Sequence, residues 1–253
     1  MAFLSVMKYK PMNATIKTLL EQQWNESSTQ STRQILKIIS EFVTGFETMA
    51  DVGPCISIFG SARTPSDNPY YALTVEIGEK LAKQGFGIIT GGGPGIMEAG
   101  NKGAALANGK SIGLNILLPF EQFDNKYVDR DKLLQFDYFF ARKVMFTKYS
   151  QGFVVMPGGF GTLDELFEVA TLIQTGKLKK MPIILAGRSY WEGLVKWIKE
   201  VMLKERNINP EDIDLFQLAD TADEVAEHMM EYYKSRELSP NFQADQEQRG
   251  LVA

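Results

Sequence analysis

From Pro54 onward the chain repeats one unit: a short, almost wholly apolar run, a turn, then a longer stretch with helical spacing. The apolar runs fall at residues 55–59, 86–90, 111–116, 133–136, 153–156, 182–186 and 214–217. The helical stretches fall at 70–83, 95–108, 138–150, 161–175, 190–204 and 222–234. A strand that is apolar on both faces must be covered on both, and parallel strands need crossover connections, usually helical. The pattern therefore predicts an α/β fold, a Rossmann-like doubly wound parallel sheet of about seven strands flanked by helices. Ligands in such sheets bind beyond the carboxyl ends of the strands.

Residues 1–50 are different: rich in Gln, Ser and Thr and nearly free of Gly. They are expected to form an N-terminal helical extension, ahead of a Rossmann-like domain over 51–236 and a polar C-terminal tail at 237–253. A short helix is expected over 14–24. From Thr29 to Met49 the residues Ile35, Ile39, Phe42, Phe46 and Met49 alternate steps of four and three, one stripe along a second helix. Such a stripe is expected to pack on the domain or on a partner chain.

Composition narrows the function classes. The formal charge is −4, from 31 acidic and 27 basic residues, so no strong basic field exists to hold nucleic acid, and none is expected as a partner. The single cysteine, Cys55, excludes an intramolecular disulfide and suits a reducing cytoplasm. It opens an apolar run and reads as a buried small hydrophobe. A Ser-His-Asp triad or a multi-His metal site would need the single histidine, His228, and one Cys with one His builds no typical zinc site. No apolar run reaches the ~18–20 residues of a membrane span, and residues 1–11 lack a signal-peptide core. A cytoplasmic protein with no membrane partner and no metal is the expectation.

Three Gly-rich turns sit where strands end. The first is Phe59-Gly60-Ser61-Ala62-Arg63, in which Ser61 can cap or donate to an anion. The second is Thr90-Gly91-Gly92-Gly93-Pro94-Gly95-Ile96-Met97-Glu98, with a bare backbone at Gly91, Gly92 and Gly93 and a proline placed to start a helix. The third is Met156-Pro157-Gly158-Gly159-Phe160-Gly161-Thr162-Leu163-Asp164-Glu165. There a buried strand runs through glycines into a helix whose first N–H groups are unpaired and whose dipole favours an anion. Glycine removes the Cβ atoms that would hold a phosphate away. One such turn is equally a plain strand-to-helix connection. Three at one sheet edge point to a phosphate ligand. Neither the dinucleotide fingerprint G-x-G-x-x-G after the first strand nor the ATP loop G-x-x-x-x-G-K-[ST] is present.

Glu165 lies one helical turn beyond Thr162, and Glu168 shares its face. Acid in a first turn suits the helix dipole, an account that covers Asp164 better than Glu165. Arg142 and Lys143 sit in an aromatic-rich helix just before the strand that feeds the third turn. Arg142 reads equally as a core-edge ion-pair partner for Glu165 and as a guanidinium that binds phosphate or assists a departing group.

In the order G-G-G-P-G-I-M-E-A, F-F-A-R-K-V-M-F, P-G-G-F-G-T-L-D-E-L-F-E the sequence resembles the LOG family of cytokinin riboside 5′-monophosphate phosphoribohydrolases and their bacterial relatives, many labelled "possible lysine decarboxylase". The resemblance covers roughly residues 55–187, and the P-G-G-x-G-T-x-x-E pattern is complete. It implies a Rossmann-like dimer with its active site near the subunit interface, acting without cofactor on AMP or N6-substituted AMP. It implies Arg142 and Glu165 as the catalytic pair. Lys143, Gly158, Gly159, Gly161, Thr162 and Thr171 match substrate-contacting positions, and Glu98 is a candidate ribose contact. Three other classes compete: a non-catalytic carrier of the molybdenum-cofactor-carrier type, which needs the glycine turns but not Glu165, a pyridoxal-phosphate decarboxylase, which needs a Schiff-base lysine, and a purely structural role in which the N-terminal helices mediate a higher homo-oligomer.

Overall fold

The structure is a computed structural model that describes residues 14–118 and 125–234, with side chains from residue 31 onward. The expected tail at 237–253 lies outside the described residues. The chain divides into two compact units, Met1–Val43 and Thr44–Ala253. Helix α1 covers Ala14–Met49 as one 36-residue element, which corrects the expectation of two helices. The polar residues 25–28 that separate the apolar stretches contain no Gly or Pro, and Asn, Glu and Ser cost a helix interior only about half a kcal/mol each. Of the apolar stripe, Met49 is fully buried, Phe42 is half-buried, and Ile35 and Ile39 are exposed.

The larger unit is the expected doubly wound sheet. Strands β1 (Cys55–Phe59), β2 (Gly87–Thr90), β3 (Ser111–Ile116), β4 (Leu133–Phe136), β5 (Ser150–Val155), β6 (Ile183–Ala186) and β7 (Phe216–Ala219) form one sheet in the order β4-β3-β2-β1-β5-β6-β7. Every pairing is parallel. Helices α2 (Pro69–Lys83), α3 (Ile96–Leu106), α4 (Phe139–Tyr149), α5 (Phe160–Gln174) and α6 (Arg188–Trp197) connect successive strands except β3 to β4, where the described residues hold a 3-10 turn at Arg130–Lys132, and α7 (Ala222–Lys234) follows β7. The winding reverses between β1 and β5, so the crevice of this fold opens beyond the ends of those two strands.

Alternating strand residues feed two cores. Ile56, Ile58, Ile88, Val154 and Ile184 pack with Ile77 and Leu81 of α2, Ile96 of α3, and Val225 and Met229 of α7. On the opposite face Phe59 meets Phe146 of α4 edge to face at 5.0 Å and stacks on Phe153 at 5.8 Å. Those rings dock α4, and with it Arg142 and Lys143, under the end of β1. Cys55 is buried in this sheet, and burial pushes its thiol up to about 12. That agrees with a packing role.

The last strand lies two residues later than its apolar pattern indicates. Residues 210–215 form a 3-10 turn, because Asn209 and Asp212 cap one another reciprocally and Gln174 donates to Asp212 at 2.7 Å. The helix expected at 190–204 begins at Arg188 and passes into a π turn at Ile198–Met202.

The first two turns interlock sterically. Gly95 has φ +66°, and a Cβ there would stand 2.5 Å from the Ser61 carbonyl oxygen. A Cβ on Gly60 would stand 2.4 Å from Ile96. Gly95→Ala is expected to destabilise the fold by about 2–4 kcal/mol through backbone strain and overlap combined, read as a lowered urea midpoint at unchanged m-value.

Candidate active site

The three turns meet at the crevice and are stitched together by backbone hydrogen bonds. The Met156 amide donates to Phe59 at 2.8 Å, continuing the β1–β5 ladder past the strand ends. The Ser61 amide donates to the Pro157 carbonyl at 3.1 Å, and the Ile96 amide donates to the Ser61 carbonyl at 3.0 Å. Ser61 is thus the hinge of the edge, and its hydroxyl accepts from the Arg63 amide at 3.0 Å.

The third turn holds two kinds of glycine. Gly158 is required by the protein itself, since its Cβ would fall 2.1 Å from the Thr162 hydroxyl. The Gly158 carbonyl accepts from the Tyr190 hydroxyl at 2.7 Å. Gly159 and Gly161 are otherwise. Neither has a positive φ, and a Cβ on either would meet nothing within 4 Å. Gly159 caps α5 with no side-chain hydrogen bond, and its carbonyl takes the amides of Thr162 and Leu163, both at 3.0 Å. The amides of Phe160 and Gly161, in the first turn, have no intrahelical acceptor. The result is a bare, donor-lined concavity at a helix N-terminus, suited to an anion.

Glu165 lies one turn along on the buried face of α5 with Thr162 and Leu166, only 5% exposed. Its counter-charge is Lys143, whose Nζ stands 2.8 Å from Asp164, 3.4 Å from Glu165 and 3.9 Å from Glu168. The close cation is Lys143; Arg142 makes no ion pair with Glu165 within 4 Å. Its guanidinium lies between the rings of Phe146 (5.3 Å) and Phe139 (5.9 Å), and its Nε is buried without a hydrogen-bond partner. A Cβ on Gly91 would stand 3.3 Å from Arg142 Nη2, so the second turn forms a wall beside this cation. Burial raises the pKa of Glu165, and the opposing pull of Lys143 and Arg142 does not cancel it. Burial lowers that of Arg142, against the charges of Glu165 and Asp164, yet a guanidinium remains cationic.

Several other candidate residues have partners within the protein. The Gly92 amide already donates to the Thr90 hydroxyl at 3.0 Å, and the Gly93 carbonyl accepts from Asn125 at 3.3 Å. Glu98 accepts from the Tyr71 hydroxyl at 2.7 Å. Burial first, then Glu98, pushes the Tyr71 pKa up. Thr171 is exposed, nine residues and half a revolution from Thr162, and is not brought to the cradle of its own chain. It lines instead an open groove of about 720 Å³ with Phe160, Leu163, Asp164, Phe167 and Glu168. The motif residue Phe160 is 91% exposed there.

Sequence reasoning missed Tyr190, Tyr71, Asn101 and Asn125. Only Asn101 carried a signal, as an amide side chain in the interior of a helix that gains nothing from it.

This fold and edge define a Rossmann-like α/β protein whose Gly-rich turns meet at its topological switch point. Residues 97–229, just over half of the chain, match the family described as "Possible lysine decarboxylase". The chain belongs to that family, the LOG family. A Mycobacterium tuberculosis relative named cytokinin riboside 5′-monophosphate phosphoribohydrolase is 30% identical over 144 residues, 56% of this chain and 75% of its own. An Arabidopsis thaliana relative of the same name is 27% identical over 180 residues, 70% of this chain and 82% of its own. Among solved structures, the protein TM1055 superposes with a TM-score of 0.53 at 22% identity, covering 71% of this chain and 99% of that one. The molybdenum cofactor carrier protein of Chlamydomonas reinhardtii gives 0.51 at 22% identity, over 71% and 97%. Both likenesses are of fold.

Carbon-detected NMR titration of the glutamate carboxyls should place Glu165 above the ordinary carboxylate range. Lys143→Met removes the cation that holds it down, so the value should rise further. A fall in that variant would contradict the assignment of Lys143 as its counter-charge.

Proposed function

We propose that this protein hydrolyses the N-glycosidic bond of a nucleoside 5′-monophosphate, AMP or an N6-substituted AMP, releasing the free base and ribose 5-phosphate. One observation carries the reading: Gly159 and Gly161 are glycines that the chain's own packing does not require. Gly161 costs helix α5 about 1 kcal/mol relative to alanine, and the space before it is open. A ligand group that must approach the backbone closely accounts for both. The names of the curated relatives supply the substrate class.

Breaking the C1′–N bond makes the ribose cation-like, as in glycoside hydrolysis. The 5′-phosphate is gripped by the amides of Phe160 and Gly161 and the α5 dipole, which anchors the sugar. Glu165, held as a carboxylate beside Lys143, faces the developing positive charge and orients or deprotonates the attacking water. The oxygen of water bonds to C1′, the C1′–N pair leaves with the base, and the base takes up a proton. Arg142, with an unused Nε, contacts the phosphate or stabilises the departing base. Water is the only co-reactant this reaction needs.

The exposed Phe160 and the groove beside it support a second copy of the chain as neighbour. Thr171, remote from the cradle of its own chain, would then serve the partner's site. We place the protein in the cytoplasm; among the described residues no helix is long and apolar enough to cross a membrane. A decarboxylase reading needs a free lysine, and Lys143, in the family motif, is engaged by Asp164 and Glu165.

Incubation with AMP should yield free adenine by chromatography; binding without release would identify a carrier instead. Glu165→Gln should lower turnover by about a thousandfold or more without loss of stability. The sign follows from linkage: an acid whose folded pKa exceeds its unfolded one subtracts stability once pH passes the unfolded value. Gly161→Ala should raise stability by up to about 1 kcal/mol while raising KM at least tenfold, about 1.4 kcal/mol of lost phosphate binding. A variant that is both more stable and fully active would remove the phosphate from this turn.

A further inference from the structure

Beneath the second turn lies a buried polar network that the reaction above does not use. Asn101, in the middle of α3, is fully buried and uses its whole hydrogen-bonding capacity. Its Nδ2 donates to the Ser111 hydroxyl at 2.9 Å and to the Ile112 carbonyl at 3.2 Å. Its Oδ1 accepts from the Thr90 hydroxyl and, at 2.9 Å, from Asn125 Nδ2. Asn125 is likewise buried. It donates also to the Gly93 carbonyl at 3.3 Å and accepts the Tyr127 amide at 3.1 Å. Thr90, through its hydroxyl, takes the Gly92 amide at 3.0 Å.

Two ends of this network are thus backbone groups of Gly92 and Gly93. Gly92 has φ +68°, a conformation with little intrinsic preference over its alternatives for glycine, so the turn needs external support to hold one shape. A helix interior is a costly place for four committed side-chain bonds unless they hold something in position. What they hold is the turn whose Gly91 leaves no free room for a side chain beside Arg142 Nη2, and Arg142 Nε has no protein hydrogen bond to locate it.

We propose that Thr90, Asn101 and Asn125 are positioning residues for nucleotide cleavage: acting through the Gly91–Gly93 backbone, they set where the Arg142 guanidinium stands. This inference rests on the function proposed above. It does not require any of the three to touch the substrate.

The test is a double-mutant cycle on the full chain with AMP. Thr90→Val keeps the shape and deletes the hydroxyl, whereas Thr90→Ser keeps the hydroxyl. Thr90→Val should lower kcat/KM by about ten- to a hundredfold, mainly in kcat, and Thr90→Ser should recover most of that loss. In an Arg142→Ala background the Thr90→Val effect should largely vanish, because the group it positions is gone. Amide exchange should quicken over the peptide spanning the second turn in Thr90→Val and not in Thr90→Ser, a readout that needs no turnover. Equal losses from Thr90→Val with and without Arg142, or unaltered exchange in the second turn, would overturn this inference while leaving the proposed reaction standing. Absence of base release by the unaltered protein would end both.

Discussion

The edge of the sheet depends on one short chain of backbone hydrogen bonds. Ser61 gives its amide to Pro157 and receives that of Ile96, so the turns after β1, β2 and β5 are fixed relative to one another. They lie at the point where the winding reverses, where the helices leave the sheet on opposite faces and open a crevice. Gly60 and Gly95 exist to let this happen, because side chains there would collide with Ile96 and with the Ser61 carbonyl. Every functional group discussed hangs from this junction. The cradle follows Pro157, Glu165 follows the cradle by one helical turn, and the second turn borders Arg142.

The electrostatics of the site follow from burial. Glu165 and Arg142 are both withdrawn from water, and each is pushed towards its neutral form by that withdrawal. Lys143 stands within ion-pair distance of three carboxylates, and no acid stands as close to Arg142. A buried guanidinium with an unused donor is poorly compensated, and such groups are retained where a ligand completes them. The same holds for the open glycines of α5, which weaken a helix that alanine would strengthen. Both features give up folding stability, and a bound phosphate gives a physical reason for each.

Much of this was legible in the sequence, for reasons tied to particular residues. Doubly covered strands such as Cys-Ile-Ser-Ile-Phe admit few readings, and the seven-strand sheet follows from their spacing. Boundaries were less clear where side-chain capping decides them, as with Asn209 and Asp212, whose 3-10 turn displaces the start of β7. The continuity of α1 was hidden because its middle is polar without being helix-breaking. At the site, the turns and the pair Arg142 and Glu165 are visible as motifs. Which cation faces Glu165 is not, because Arg142 and Lys143 are adjacent in sequence and only the seating of α4 on Phe59 tells them apart. Tyr190 and Asn125 support the turns from distant segments, and no local pattern announces them. Thr171 is the reverse case, a position singled out by the family resemblance that the helical period carries to the far side of α5 from Thr162.

The central claim is that the N-terminus of α5 grips a 5′-phosphate and sets the sugar before Glu165. A crystal structure of Glu165→Gln with AMP tests this most directly. The account predicts phosphate oxygens within hydrogen-bond distance of the Phe160 and Gly161 amides, with C1′ facing residue 165 and Arg142 Nε in contact with the nucleotide. A nucleotide bound elsewhere, or one whose phosphate points away from Gly159 and Gly161, would contradict it.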